Sequence, residues 1–417
     1  MIGPSPRFRL YSSPAHYQGV LRGLFSGGDC PIDYCNQLEA AIRSVTGARH
    51  ALCAAKARVA IHLAVAALVE PGRKVVLSPY TISDVVNMVI SAGGVPVFAD
   101  IDARTCNIDP EDVQRIIDSD TAAVLVTHLH GLACDMERLV PLCREHGLRL
   151  IEDAAQAFGT RLNGRSVGTF GDAGVFSFGM YKNVNSFFGG MLLTSDADVD
   201  RRVRERVATF PPQEMGYFAK KVLSGLATDI ATMPGIFQSF TYHVFRAASL
   251  HDVGLLNRQV SFDQGPSMKR VLSESYLRRM TRMQAKLVLS QLENLDNATR
   301  ARIETARLYH EGLKDVPGLG LPPLRADHSH IYTYYPVQVD DRAAFLKHMM
   351  RARRDVAAQH LRNCADLPCF AEFARDCPNA RRTAERLVLL PTYPRYGRRE
   401  AMRNIDAIRD YFGEGQL

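Results

Sequence analysis

The chain of 417 residues lacks any run of about eighteen apolar residues, which argues against a membrane-spanning helix. The opening MIGPSPRFRLYSSPAHYQG lacks the apolar core of a secretory leader, so the cytoplasm is the expected compartment. Closely spaced cysteine pairs are missing too. The nine cysteines show no repeated spacing, which suits reduced thiols better than a disulfide framework. Cys364, Cys369 and Cys377, with His360 upstream, form one local group, but without C-x-x-C pairs no metal is expected. Strong charge bias is absent as well. A net +7 over this length can attract anionic small molecules or lipid headgroups and does not imply nucleic acid. Internal repeats and low-complexity segments are not found.

What is present is an ordinary globular composition, 46% hydrophobic and 23% charged, long enough for two domains. From about Leu38 to Thr194, helical and strand-like segments alternate. AIHLAVAALVE, VVNMVISAGG and MERLVPLCREHG carry helical periodicity, whereas KVVLSPYT, GVPVFADI, AAVLVTHLHG, RLIEDA, DAGVFSFG and GGMLLTS read as buried strands. Continuous apolar strands separated by helices predict an α/β fold with a largely parallel sheet covered on both faces. Such sheets place ligands beyond the carboxyl ends of their strands, where IEDAAQ and THLHG fall. Residues 218–268 read as an apolar helical insertion broken at Pro234-Gly235. It is expected to pack on the body or a partner subunit, with membrane-surface contact as the alternative. One long helix is expected from Tyr276, and VPGLGLPPL (316–324) then leads to a strand at HIYTYYPVQV. The expected division is residues 1–290, an N-terminal arm and large domain containing the insertion, and 291–417, a smaller α+β domain.

Four polar residues fall near predicted strand ends: Asp153, Gln156, Ser177 and Lys182. A carboxylate, an amide, a hydroxyl and an amine are the groups a pyridoxal phosphate pocket needs. The amine can form a Schiff base if its pKa is lowered, the carboxylate can keep a pyridine nitrogen protonated, and the hydroxyl can donate to a phosphate. On spacing alone, a helix-capping Asp153 and a surface Lys182 stand level with that reading. His128 and His130 lie at another strand end, as substrate contacts or as satisfied structural histidines.

The segments GGVPVFADID (93–102), THLHGLACDM (127–136), HGLRLIEDAAQAFG (146–159), GRSVGTFGDAGVFSF (164–178) and the Lys182-Asn183 pair occur in that order. Together they resemble the DegT/DnrJ/StrS-type sugar aminotransferases, pyridoxal phosphate enzymes of fold type I. More thinly, the resemblance reaches MTRMQAKLVLSQLENLD (280–296) and LVLLPTYP (387–394). It implies that Lys182 is the Schiff-base lysine and proton carrier, Asp153 the pyridine-nitrogen partner, Gln156 a residue beside the ring and Ser177 a phosphate ligand. Also implied are a homodimer with a shared active site, pyridoxal 5′-phosphate as cofactor, and amino transfer from glutamate to a keto-sugar, nucleotide-linked. A non-sugar ketone or aldehyde as acceptor, or a cofactor-binding protein without turnover, are the alternatives.

The departures cluster around phosphate and substrate contacts. Relatives have a Ser-Gly-Thr turn where this chain has Lys56-Ala57-Arg58. Backbone N–H groups at Ala57 and Arg58, or the Arg58 guanidinium, can serve a phosphate there; equally, Lys56 and Arg58 can point to solvent. The relatives' stacking aromatic aligns with Ile82, two residues from Tyr80, and their partner-reaching asparagine falls near Leu277. An acidic residue usual before the glycines is replaced in Phe187-Phe188-Gly189-Gly190.

Overall fold

The six predicted buried strands and one that was not predicted, His50–Ala54, assemble into one seven-stranded sheet. In chain order they are β1 (His50–Ala54), β2 (Lys74–Leu77), β3 (Val95–Phe98), β4 (Thr121–Thr127), β5 (Arg149–Asp153), β6 (Ala173–Ser177) and β7 (Gly190–Thr194). This computed structural model describes residues 3–10, 14–25, 32–250 and 265–414. The spatial order is β1-β7-β6-β5-β4-β2-β3. The pairs from β6 across to β3 are parallel, and β7 runs antiparallel to both its neighbours.

Alternation along the strands sends apolar side chains to both faces. Val75, Leu77, Leu125 and Ile151 join one apolar cluster, and Val76, Val124, Val126 and Leu150 another on the opposite face. The helix Ala57–Leu68 covers the first face, packing over β1, β7, β6 and β5. Its buried stripe is Val59, Ala60, Ile61, Leu63, Ala64 and Val65, in which Ala60 and Ala64 are small enough for close approach to the sheet. Met136–Glu145 packs on the other face, and Tyr34–Thr46 covers the β1 end.

C-terminal residues build a separate core. A three-stranded antiparallel sheet of Tyr335–Gln338, Leu387–Leu390 and Ala357–Ala358 packs with helices in an apolar cluster drawn from Ile303 onward. The expected long helix from Tyr276 is instead two, Arg282–Leu292 and Leu295–Leu313. Asn294 leaves helical geometry at φ −97° and ψ 3°, separating the two. The strand expected over HIYTYYPVQV is confined to Tyr335–Gln338, because Tyr332 adopts a left-handed φ of 46°.

Within the insertion, the helix Met215–Ala231 starts ahead of the predicted boundary, and a helical run resumes at Pro234 and continues to Leu250. Proline fits there as a first helical residue, whose N–H would lack an intrahelical partner anyway. The end of the predicted insertion lies partly outside the described residues. Among those described, no helix is long and apolar enough to cross a membrane.

Candidate active site

Sheet register sets the frame. Thr127, Asp153 and Val175 lie side by side across β4, β5 and β6, and Ser177, Gly190 and Ala54 form a second row across β6, β7 and β1. Asp153 and Ser177 therefore end adjacent parallel strands, and the Lys56-Ala57-Arg58 turn follows β1 at the same edge. Close packing locks that turn in place. A Cβ added at Gly190 would lie 2.5 Å from the Ala57 nitrogen, so only glycine lets β7 come this near the helix start.

Asp153 is 4% exposed, and Oδ1 accepts the Ala155 N–H at 3.0 Å. Burial raises its carboxyl pKa, against the opposing pull of the Ala155 N–H, Lys182 and His128. Its neighbour Glu152 points to the other side of the strand. There the Glu152 carboxylate accepts N–H bonds from Gly168 and Gly171, each at 2.7 Å, and faces His128 Nε2 at 3.1 Å. The Cys134 N–H reaches His128 Nδ1 at 3.0 Å, so both ring nitrogens have a partner. His128 is thus a satisfied structural histidine behind Asp153.

His130 is also buried. Its N–H donates to Gln156 Oε1 at 3.1 Å, and its Nε2 accepts from Gln359 Nε2 at 2.9 Å. Burial, then the charge of His360, pushes its pKa down to about 3, which keeps the ring neutral. Gln156 accordingly ties the loop after β5 to the loop after β4.

Lys182 follows β6 in a tight turn. Its N–H donates to Gly179 O at 3.0 Å, and the Gly179 N–H donates to Ser177 Oγ at 3.3 Å. That bond uses a Ser177 lone pair and leaves the hydroxyl hydrogen available to an anion. Phe178 anchors the turn from below: it is fully buried and meets Phe158 edge-on at 5.8 Å. The Phe178 N–H donates to Gly189 O at 3.0 Å, closing the loop that carries Lys182. Burial lowers the Lys182 ammonium pKa; Asp153 works against this and Arg58 adds to it. Lys182 is therefore buried and within electrostatic reach of both Asp153 and Arg58.

Ala57 and Arg58 are the first two residues of the helix Ala57–Leu68, whose N-terminus has no side-chain cap. First-turn N–H groups have no intrahelical acceptor and suit an anion. Arg58 Nη1 ion-pairs with Asp84 and lies 3.4 Å from the Tyr276 hydroxyl, and Lys56 Nζ lies 4.4 Å from the Tyr276 ring centroid and 3.5 Å from Ser275 O, so neither simply points to solvent. Tyr80 is fully buried and pairs in a short bridge with Asn363, which removes it as a stacking ring.

Sequence reasoning missed the neighbours that the insertion supplies. Phe218 and Val222 of Met215–Ala231 pack with Phe187 and Phe188, and Lys56 lies 5.1 Å from the Tyr217 ring centroid. The signal in hand was indirect: Phe187-Phe188 stands where relatives carry an acidic residue, and two adjacent buried rings need an apolar cover.

These features can be set beside known proteins. The sequence pattern of the DegT/DnrJ/EryC1/StrS aminotransferase family matches residues 29–230 and 244–409. The spore coat polysaccharide biosynthesis protein SpsC of Bacillus subtilis is 30% identical over 425 residues, covering 98% of each chain. A UDP-N-acetyl-3-dehydro-alpha-D-glucosamine 3-aminotransferase of Acidithiobacillus ferrooxidans is 30% identical over 380 residues, covering 89% of this chain and 87% of its own. Among solved structures, the sugar aminotransferase CalS13 from Micromonospora echinospora superposes with a TM-score of 0.76 at 23% identity. It covers 98% of this chain and 100% of its own, a likeness of fold.

Proposed function

From the premise that this chain belongs to the DegT/DnrJ/EryC1/StrS aminotransferase family, we propose that it transfers an amino group to a nucleotide-linked keto-sugar, with pyridoxal 5′-phosphate as cofactor. The observation that carries this reading is the meeting of Lys182 and Asp153 at one sheet edge, beside the uncapped start of Ala57–Leu68. The residues fit the cofactor. Ser177 has a free hydroxyl hydrogen for a phosphate, the first-turn N–H groups at Ala57 and Arg58 face the same end, and Asp153 is a buried carboxylate. Gln156 would stand beside the ring. When bound, the cofactor supplies an electrophilic aldehyde and an electron-withdrawing pyridinium ring.

This chain's own groups would do the rest. Burial favours the neutral form of the Lys182 amine, so it could act as a nucleophile and afterwards take the proton from the donor's α-carbon. Asp153 would hold a positive charge opposite it, where a buried carboxylate gains most from a cationic partner. The Phe158–Phe178 contact fixes the turn and so the reach of Lys182. Glutamate is the donor implied by the family resemblance, and a cytoplasmic homodimer is the expected form. Apolar side chains from Leu223 (64% exposed) to Phe240 (68%) on the insertion support a subunit contact.

The test is a half-reaction assay. Protein loaded with the amine form of the cofactor is mixed with a panel of keto-sugar nucleotides and simple ketones, and return of the aldehyde-form absorbance is followed. Turnover by at least one nucleotide sugar is expected. Turnover by simple ketones alone would assign a non-sugar acceptor, and none by any acceptor would reject the reading.

A further inference from the structure

Lys182 closes a four-residue turn, Gly179-Met180-Tyr181-Lys182, by donating its N–H to Gly179 O. The backbone angles of the two central residues, Met180 and Tyr181, set the point and direction from which the Lys182 side chain starts. Both are held by side chains from elsewhere in the chain. Met180 packs against the apolar cluster that contains Phe187, Phe188, Phe218 and Val222. The Tyr181 ring meets Phe8 of the N-terminal arm edge-on, with centroids 5.0 Å apart. Its phenol also hydrogen-bonds the Thr228 side chain, which works against the rise in pKa that burial gives it. Thr228 Oγ1 already donates to Ser224 O at 2.9 Å, so in that bond the Tyr181 hydroxyl donates and Thr228 accepts.

Thr228 lies on the face of Met215–Ala231 that meets the lysine loop. Gly225, Thr228 and Asp229 fall at helical spacings of three and four, which puts them on one side. Gly225 lies against the Phe187 ring. Asp229 Oδ2 accepts the Tyr17 hydroxyl at 2.5 Å, and the Tyr17 ring lies 5.8 Å from that of Phe187. Leu223, Leu226 and Ile230 are the exposed residues of the same helix. The inward face of the insertion therefore grips both ends of the loop, Tyr181 just before Lys182 and Phe187 just after it. Tyr181 is 40% exposed, so its hydroxyl is not needed to complete a core.

We propose that Tyr181 is a positioning residue for Lys182, and that the insertion acts on the amine through the Thr228–Tyr181 hydrogen bond. Tyr181 has this role only if Lys182 has the one proposed above. An amine launched from a fixed turn loses less freedom when it meets an aldehyde than one launched from a loose turn. Loss of the bond should slow capture of an aldehyde and leave binding of a cofactor form without an aldehyde as it was.

The experiment compares wild type with Tyr181→Phe, Thr228→Val, the double variant and the exposed control Ser224→Ala. Tyr181→Phe keeps the ring beside Phe8, and Thr228→Val keeps the shape of its side chain. Unloaded protein is mixed with pyridoxal phosphate and quenched with borohydride at intervals, and mass spectrometry reads the fraction of Lys182 peptide carrying reduced cofactor. Pyridoxamine phosphate, which has no aldehyde, is titrated in parallel by calorimetry. Each single variant is expected to slow capture about tenfold with pyridoxamine phosphate affinity unchanged, and the double variant to be no slower than either. Ser224→Ala is expected to match wild type. Wild-type capture rates in both single variants overturn the role, as do effects that multiply in the double variant or equal slowing in Ser224→Ala. Pyridoxamine phosphate binding weakened in step with capture also overturns it, since that marks general damage to the pocket. If Thr228→Val melts well below wild type, Tyr181→Phe carries the test alone. A wild type that captures no aldehyde at Lys182 would sink the proposed function and the role of Tyr181 with it. Normal capture by wild type and variants alike would leave that function standing and remove the role.

Discussion

Lys182 is a nucleophile only as a neutral amine, and three influences set how often it is one. Burial and Arg58 favour the neutral form, and Asp153 opposes it. Arg58→Gln is therefore expected to move the pH midpoint for capture of pyridoxal by Lys182 upward, and Asp153→Asn to move it downward, each by up to about one pH unit. Midpoints that shift in the same direction would contradict this electrostatic picture. Lys56 gives a second test. It holds its proton less tightly folded than unfolded, so the unfolded chain binds more protons between about 8 and the ordinary lysine value, and stability rises with pH across that window. Below the window the charged side chain is a net cost. Lys56→Met is expected to raise the Tm of unloaded protein near neutral pH, with the gain shrinking as pH climbs; a gain independent of pH would be evidence against it. The positions of Lys182 and Asp153 at strand ends were legible in the sequence because each follows an apolar run, whereas the roles proposed for them came from the family resemblance, since spacing alone left them open. Lys56 was legible only as a departure, since its tyrosine walls lie 161 and 220 residues away in sequence.

At the scale of elements, the insertion helix Met215–Ala231 is held by a contact that tolerates no side chain. A Cβ at Gly225 would lie 2.6 Å from the buried Phe187 ring, and Phe187 itself sits at a left-handed φ of 69°. Gly225→Ala is thus expected to cost about 1–3 kcal/mol by overpacking, against the small propensity gain alanine usually brings to a helix. Thermal melting reads the sign, and a Tm at or above wild type would show that the helix does not dock as described. Six of the seven strand positions in the large sheet were readable because continuous apolar runs mark strands buried on both faces, while β1 was not expected. Breaks at Asn294 and Tyr332 were not, because a single backbone rotation there overrides the surrounding apolar pattern. The direction of the insertion helix was equally hidden. Its apolar residues fit burial against the body or a partner, and only tertiary contact with Phe187 and Phe188 distinguishes its two faces.

For the whole molecule, one sheet edge gathers residues from four strand ends, and the insertion borders that edge while leaving apolar side chains outside. A homodimer predicts that Leu223→Glu with Phe240→Glu converts the wild-type dimer to a monomer in sedimentation. A wild-type monomer that instead floats with anionic vesicles would assign the face to a lipid surface. The account as a whole turns on Lys182. Protein loaded with pyridoxal phosphate, reduced with borohydride and digested should carry one reduced cofactor on the peptide containing Lys182, and Lys182→Ala should carry none. Cofactor found on another lysine, Lys56 above all, or on none, would contradict it.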